Sequence, residues 1–252
     1  MRITYRNKNV KEYWALRWDG IPADKPMENE DVYPLKYSNI MIKDHGGKVL
    51  EAGCGAGRIL RYYHDNGTDI TGIDFIEVAI NKLKEVDAKL KVKVANITSL
   101  PFDNESFKYI LAFGLFHNLE FGLEKAIQEA SRVLEKEGSI CVSFRADNIQ
   151  TKVTDLLKNW KDNQNINSYE KTFHKLNLTR SEFIQIFEKE NFVVESIFPV
   201  ENMPILYKFS FFRSSGHKDF NENMARSEGY QLSWFGNKLQ KFVNEIFSKS
   251  IL

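Results

Sequence analysis

Residues 49–60 read VLEAGCGAGRIL, and this stretch decides the fold. The run KVLEAG (48–53) is apolar and ends in glycine, which predicts a short buried strand. Gly53, Gly55 and Gly57 follow at alternate positions, then a helical pattern that Gly67 brings to a stop. Glycines between a strand and a helix permit a tight turn and let a ligand approach the backbone. The free N–H groups of the helix start then face that ligand. A dinucleotide fingerprint, G-x-G-x-x-G, needs glycine where Arg58 stands. The spacing present is E-x-G-x-G-x-G, led by Glu51.

Working outward, strand and helix patterns alternate from 48 to 144. DITGID (69–74), LKVKVAN (90–96), YILAFG (109–114) and GSICVSF (138–144) read as strands. Residues 75–87 and 121–135 carry helical spacing between them. LKVKVAN alternates with period two and belongs near an edge, whereas YILAFG is continuously apolar and belongs inside. Such alternation predicts an α/β fold, a mostly parallel sheet with helices on both faces.

The flanks are less regular. Residues 1–20, with Tyr5, Tyr13, Trp14 and Trp18, read as one short amphipathic helix, and 21–34 as loop. After 145, helices are expected at 151–163 and 178–191, the second capped by Thr179 with Glu182 as capping-box partner. FVVESIFPV (192–200) reads as a strand. ILYKFSFF (205–212) fits a strand or an apolar helix, and 237–252 fits an amphipathic helix. The expected division is an N-terminal helix and cap at 1–47, a core at 48–200, and a variable lid with a C-terminal helix at 201–252.

Composition narrows the classes. The 252 residues hold 35 Lys+Arg against 34 Asp+Glu, a net charge of +1, which argues against a uniformly basic nucleic-acid coat. No run approaches the length of a membrane span. Two cysteines, Cys54 and Cys141, make neither a disulfide scaffold nor a zinc site, so a reduced, cytoplasmic protein without a metal is expected. Both read as small core residues. Fourteen of the 33 aromatic residues fall in 1–20 and 201–252. That bias suggests an aromatic-lined cap shaped for a small molecule.

With these motifs in place, the chain resembles the class I S-adenosylmethionine-dependent methyltransferases, from about 48 to 144 and more loosely to 200. The resemblance implies a Rossmann-like three-layer fold and S-adenosylmethionine as methyl donor. Glu51, Gly53, Gly55 and Gly57 match the first motif of that family. Asp74 matches the acid that takes both ribose hydroxyls, with Phe75 as a wall for adenine. ANITSLPFDNESF (95–107) matches the third motif, except that Asn96 replaces the usual acid. Asn96 offers a carbonyl oxygen to the adenine amino group, and the Ile97 N–H reaches a ring nitrogen, with weaker charge assistance. Phe113 also falls among the expected cofactor contacts. The Y-W-x-x-R-W run (13–18) implies Tyr13 or Arg17 at the methionine carboxylate and Trp14 and Trp18 walling the substrate, or packing on the core.

The segment after the fourth core strand, AFGLFHNLE (112–120), has neither an Asn/Asp-Pro-Pro-aromatic motif nor a Pro-Cys pair. Methylation of DNA bases is thereby disfavoured. His117 is the candidate general base, since imidazole titrates near neutral pH. The alternative is a packed or merely positioning histidine. Arg145 is a candidate substrate contact, or half of a loop ion pair with Asp147. Tyr207 and Tyr230 are candidate substrate contacts from the lid. The preferred function is methyl transfer to a small polar acceptor, such as a sugar or surface-polysaccharide precursor. The alternatives are an apolar acceptor, such as a quinone precursor or secondary metabolite, and a non-catalytic binding module.

Overall fold

The structure is a computed structural model. It describes all residues except 7–9, 43–45, 150, 157–170, 201–203, 222–223, 226–227 and 250–252. At its centre five strands lie in one sheet: β2 (Val49–Ala52), β3 (Ile70–Asp74), β4 (Lys91–Val94), β5 (Phe107–Ala112) and β6 (Leu134–Val142). Their spatial order is β4-β3-β2-β5-β6, and every pairing is parallel. KVKV therefore sits at the sheet edge, as its alternation implies, and the apolar β5 lies inside.

Successive side chains of a strand face opposite sides of the sheet. Leu50, Ala52, Ile110 and Ala112 enter one apolar cluster, closed by Ala126, Ile127, Ala130 and Val133 of α5 (Leu123–Val133). Phe183 and Phe187 join it from the helix Arg180–Glu188, called α6. Val49, Tyr109 and Leu111 enter the other cluster, closed by α2 (Leu35–Met41), α3 (Arg58–Asp65) and α4 (Glu77–Val86). Helices thus cover both faces, which makes the α/β, Rossmann-like architecture explicit. The capping box of α6 is present: Thr179 accepts from the Glu182 N–H, and the Glu182 carboxylate accepts from the Thr179 N–H.

Three expectations need correction. Residues 1–20 are not one helix. Arg2–Arg6 forms a strand, β1, and α1 (Val10–Asp19) follows. The partner of β1 is β7 (Thr172–Asn177), antiparallel, with Arg2 opposite Asn177. Segment 192–200 forms no strand; Val193, Phe198 and Val200 stay exposed, while Phe192 and Ile197 turn onto the core cluster instead of pairing in a ladder. Residues 205–212 are neither strand nor apolar helix but two short 3-10 turns, Ile205–Lys208 and Ser210–Phe212.

The helix expected at 151–163 is present over 151–156, and its remainder falls outside the described residues. The C-terminal helix α7 spans Trp234–Lys249. Residues Tyr207, Ala225 and Leu232 build a small apolar cluster of their own. Among the described residues, no helix is long and apolar enough to cross a membrane.

Candidate functional site

The site grows from the loop joining β2 to α3. The Gly53 and Cys54 N–H groups both donate to the Ile73 carbonyl, which ties the loop to β3. Gly55 sits at φ +52°, and a Cβ there would lie 2.6 Å from the Trp18 indole. Glycine is needed twice over, for the left-handed backbone and for the close ring. Glu51 is buried beneath the loop, with Oε2 lacking a partner. Burial pushes its carboxyl up to about 8, although the Leu60 N–H and Arg58 oppose that shift.

Asp74 closes β3 on the far side of the loop. Its Oδ2 accepts from the Gly55 N–H at 2.9 Å, and its Oδ1 accepts from the Ile76 N–H at 2.9 Å. Burial raises its pKa, while the N–H groups of Ile76, Gly55 and Phe75 pull it back. The carboxylate is thus fixed in place and retains lone pairs for further donors. Phe75 beside it is 43% exposed, an open aromatic face. Ile97 is buried and Asn96 exposed. The Asn96 Oδ1 accepts from the Thr98 N–H at 3.0 Å, which fixes its amide.

The N-terminal helix α1 lies over this loop. Trp14 and Trp18 stack at 5.5 Å, and Trp18 packs on Gly55, so both rings belong to the glycine-loop side. The Arg17 Nη1 donates to the Tyr13 hydroxyl at 3.3 Å. Lys82 of α4 holds the end of α1, donating to the carbonyls of Trp18, Asp19 and Ile21. Nothing in the sequence marks Lys82, which looks like any solvated helix lysine.

The second half of the site follows β5. Phe113 packs edge-on against Tyr33 at 5.7 Å. The Gly114 N–H donates to the Ser143 hydroxyl, which also meets the Tyr33 hydroxyl at 2.8 Å. His117 lies on the short turn Phe116–Asn118, half-buried. The Lys175 ammonium of β7 meets its Nε2 at 3.5 Å, and its Nδ1 is buried without a partner. Burial, then the charges of Lys175 and Arg145, lower its pKa to about 3, against a contribution from the Ser143 carbonyl and with His174 adding to the fall. The imidazole is neutral at ordinary pH and reluctant to take a proton.

Arg145 pairs with Asp155 rather than Asp147, its Nη2 at 2.8 Å from Oδ1. Asp155 also accepts from Arg2 at 2.9 Å, and Asp147 pairs with Arg2 at 2.6 Å. Burial acts to raise the Asp155 pKa, but Arg145 and Arg2 hold it below the usual carboxylate value. Lys175, Asp155, Tyr33 and Ser143 escaped sequence reasoning, because each earns its place through a contact made far along the chain.

The lid residues behave differently from expectation. Tyr207 is fully buried, its hydroxyl 2.8 Å from His217 Nδ1, with Tyr230 packed edge-on at 5.1 Å. Its ring forms the core of the C-terminal segment instead of facing an acceptor. Tyr230 is half-buried beside it. Cys54 and Cys141 form no disulfide, and burial pushes both thiols up, which disfavours the reactive thiolate. A groove beside Lys48, Asp69, Thr71 and Lys91 opens at the amino ends of the strands, opposite the glycine loop. Among the described residues, no cluster of His, Cys, Asp and Glu suits a metal ion.

Comparison with known proteins bears on this arrangement. A family model described as "Methyltransferase domain" matches residues 50–142. An uncharacterised protein of Methanocaldococcus jannaschii is 34% identical over 140 residues, covering 51% of this chain and 49% of that protein. The chain thus spans about half the length of that curated relative. An S-adenosyl-L-methionine-dependent Diels-Alderase of Talaromyces variabilis is 24% identical, over 86% of this chain and 80% of its own. Among solved structures, a putative methyltransferase in complex with the Haloferax volcanii Trm112 methyltransferase activator superposes with a TM-score of 0.58. It is 16% identical, over 89% of this chain and 94% of its own. A glycine loop after the first core strand, an acid at the end of the second, a parallel five-strand sheet and the matching domain model agree: residues 50–142 are similar to the methyltransferase domain, and the fold is the one S-adenosylmethionine-dependent methyltransferases share.

Proposed function

We propose that the chain is an active methyltransferase whose acceptor is a small molecule, with a sugar or surface-polysaccharide precursor as the first class to try. One observation carries the reading: the Asp74 carboxylate, fixed by the Gly55 and Ile76 N–H groups, stands next to the open face of Phe75. That is a rigid acceptor for a pair of ribose hydroxyls beside a surface for a flat base. Bound S-adenosylmethionine supplies a sulfonium methyl group for direct displacement, the C–S electron pair remaining on sulfur.

The residues of the chain do the rest. Asp74 orients the ribose, Phe75, Ile97 and Asn96 bracket the adenine, and Gly53, Gly55 and Gly57 let the loop backbone come close. Tyr13 and Arg17, bonded to each other, meet the methionine carboxylate. Trp14, Trp18 and Phe113 shield the reacting end from water. His117, neutral and hard to protonate, positions the acceptor better than it removes a proton. The proposed division is 1–47 as cap, 48–200 as core and 201–252 as a variable segment. Two unpaired, shielded thiols fit a reducing, cytoplasmic setting.

Calorimetry with S-adenosylmethionine and NAD tests the cofactor site. Asp74→Ala should weaken S-adenosylmethionine binding by about 1–3 kcal/mol. An unchanged affinity would place the ribose elsewhere. A second reading is a domain that binds the cofactor without turning it over. It is favoured by the low basicity of His117 and by the likeness to a Talaromyces protein named a Diels-Alderase rather than a methyltransferase. Formation of S-adenosylhomocysteine with any acceptor decides between them.

A further inference from the structure

We propose that the exposed face of aromatic rings and lysines formed by α7 and the 3-10 turns before it docks on an anionic lipid surface. This face lies outside the residues assigned to the cofactor, and the proposal holds whatever the acceptor is. Two contacts set the inner side of α7. Gly236 packs so tightly that a Cβ there would lie 2.5 Å from the Phe212 carbonyl oxygen. The Gln240 Oε1 accepts from the Leu206 N–H at 3.0 Å, and both Gly236 and Gln240 are buried. These two residues, four apart, share one side of the helix. At about 3.6 residues per turn, Trp234, Phe235, Lys238, Lys241 and Phe242 fall within about a third of the circumference on the other side. All five are exposed, and each of the three aromatic residues keeps more than half of its surface in water. A helix on a folded domain ordinarily turns its large apolar side chains inward, and here they point out.

The turns extend the same face. Phe212 stacks on Phe235 at 6.1 Å and meets Phe211 at 5.2 Å and Phe209 at 6.3 Å. Phe209 and Phe211 are again more than half exposed, and Lys208 next to them is exposed. Single exposed rings need no explanation, but a connected group of them marks an interaction surface. Charge chooses the occupant. Neither 205–212 nor 234–242 contains an acid, although the whole chain is close to neutral. Lys238 stands between Trp234 and Phe242, four residues from each, with its ammonium 4.0 Å from the Trp234 ring centre. At a bilayer interface, rings enter the acyl boundary while lysine stems carry their charges back to anionic headgroups. Tryptophan, apolar with one N–H, suits that boundary. A second copy meeting this face through a two-fold axis would set lysines against lysines. The centre of a protein interface is depleted in lysine, whereas Lys238 lies in the middle of this face.

The test is flotation of the full chain with vesicles of phosphatidylcholine alone, or of phosphatidylcholine with about 30 mol% phosphatidylglycerol. Association with the anionic vesicles should be about tenfold tighter or more. It should fall several-fold as salt is raised to about 0.5 M. Lys238→Glu combined with Lys241→Glu should weaken that association about tenfold or more, and Phe211→Ser about fivefold. Tryptophan emission should shift to the blue on adding anionic vesicles, and Trp234→Phe should remove most of the shift. The substituted side chains are exposed, so the melting temperature should stay at the wild-type value. If Phe211→Ser does not fold, the lysine pair keeps the test. Equal association with both vesicles, association with neither, or binding that survives both sets of substitutions overturns the proposal. Sedimentation equilibrium is run on the same samples. A dimer that Phe211→Ser dissociates gives the face to a second copy and overturns the lipid assignment. A monomer that ignores both vesicles overturns it too and leaves the face to a protein partner.

Discussion

Glu51 shows how one residue couples the loop to pH. Its carboxyl has an unpartnered oxygen, and burial pushes it up to about 8 from an ordinary 4.5. Between those values the folded chain holds a proton that the unfolded chain has lost. Stability from this group is therefore complete below about pH 4.5 and declines as pH rises through about 8. Glu51→Gln should flatten that decline in urea melts at about pH 5.5, 7 and 8.5. A variant with the wild-type slope would show that Glu51 does not hold the proton. A cationic ligand close to the loop favours the ionised form, so binding should strengthen as pH rises through the same window. His117 works in the opposite sense: its pKa, lowered to about 3 from 6.5, lends stability above about pH 6.5 that is lost as pH falls towards 3. Glu51, the glycines and Asp74 were legible in sequence, because each is a local requirement of a strand-to-helix turn. The environment of His117 was not, since Lys175 and Arg145 arrive from β7 and the end of β6.

At the scale of elements, α1 depends on α4. Three carbonyls at the end of α1 and just beyond it converge on the Lys82 ammonium, at 3.1, 2.6 and 3.1 Å. A cation at a helix C-terminus also complements the helix dipole. Lys82→Met keeps the aliphatic stem and removes the charge. We expect a loss of about 1–2 kcal/mol in stability, and a fall in S-adenosylmethionine affinity as Trp18 loosens from Gly55. Acrylamide quenching of tryptophan should rise in step. Unchanged quenching would mean that packing alone holds the helix. The capping box of α6 was readable at Thr179 and Glu182, because a cap involves residues three apart. The failure at 192–200 has the converse reason. A β-prone run becomes a strand only by pairing with a neighbour, and here Phe192 and Ile197 pack their side chains on the core cluster without a backbone ladder.

Across the whole molecule, the N-terminal strand is tied to the region after β6 by β1–β7 and by the network Arg2–Asp155–Arg145 with Asp147. Asp155 is 5% exposed and shared by two guanidinium groups. Asp155→Asn leaves both partly unneutralised and should cost about 2–3 kcal/mol. The loss should be local at first: hydrogen exchange should quicken in β1 and β7 before β2 and β5. Uniform quickening across the central sheet would instead show that the small sheet and the core unfold as one unit. The aromatic surplus also resolves at this scale. Trp14 and Trp18 cover the glycine loop, Tyr207 fills the C-terminal cluster, and Phe211 and Trp234 remain largely exposed. On the N-terminal side Trp18 lies against the glycine loop, while Tyr207, Phe212 and Tyr230 make ring contacts within the segment after 201.

The sequence by itself determined the parallel core, its helices and the glycine loop with Asp74. These follow from periodicity, turn chemistry and spacing over fewer than thirty residues, where local sterics decide. Only the tertiary structure decided that Arg2–Arg6 is a strand, that Arg145 pairs with Asp155, that Tyr207 is core, and that His117 is neutral beside Lys175. Each depends on which distant segment arrives as a neighbour, and hydrogen-bond pairing and desolvation are properties of that neighbour as much as of the residue.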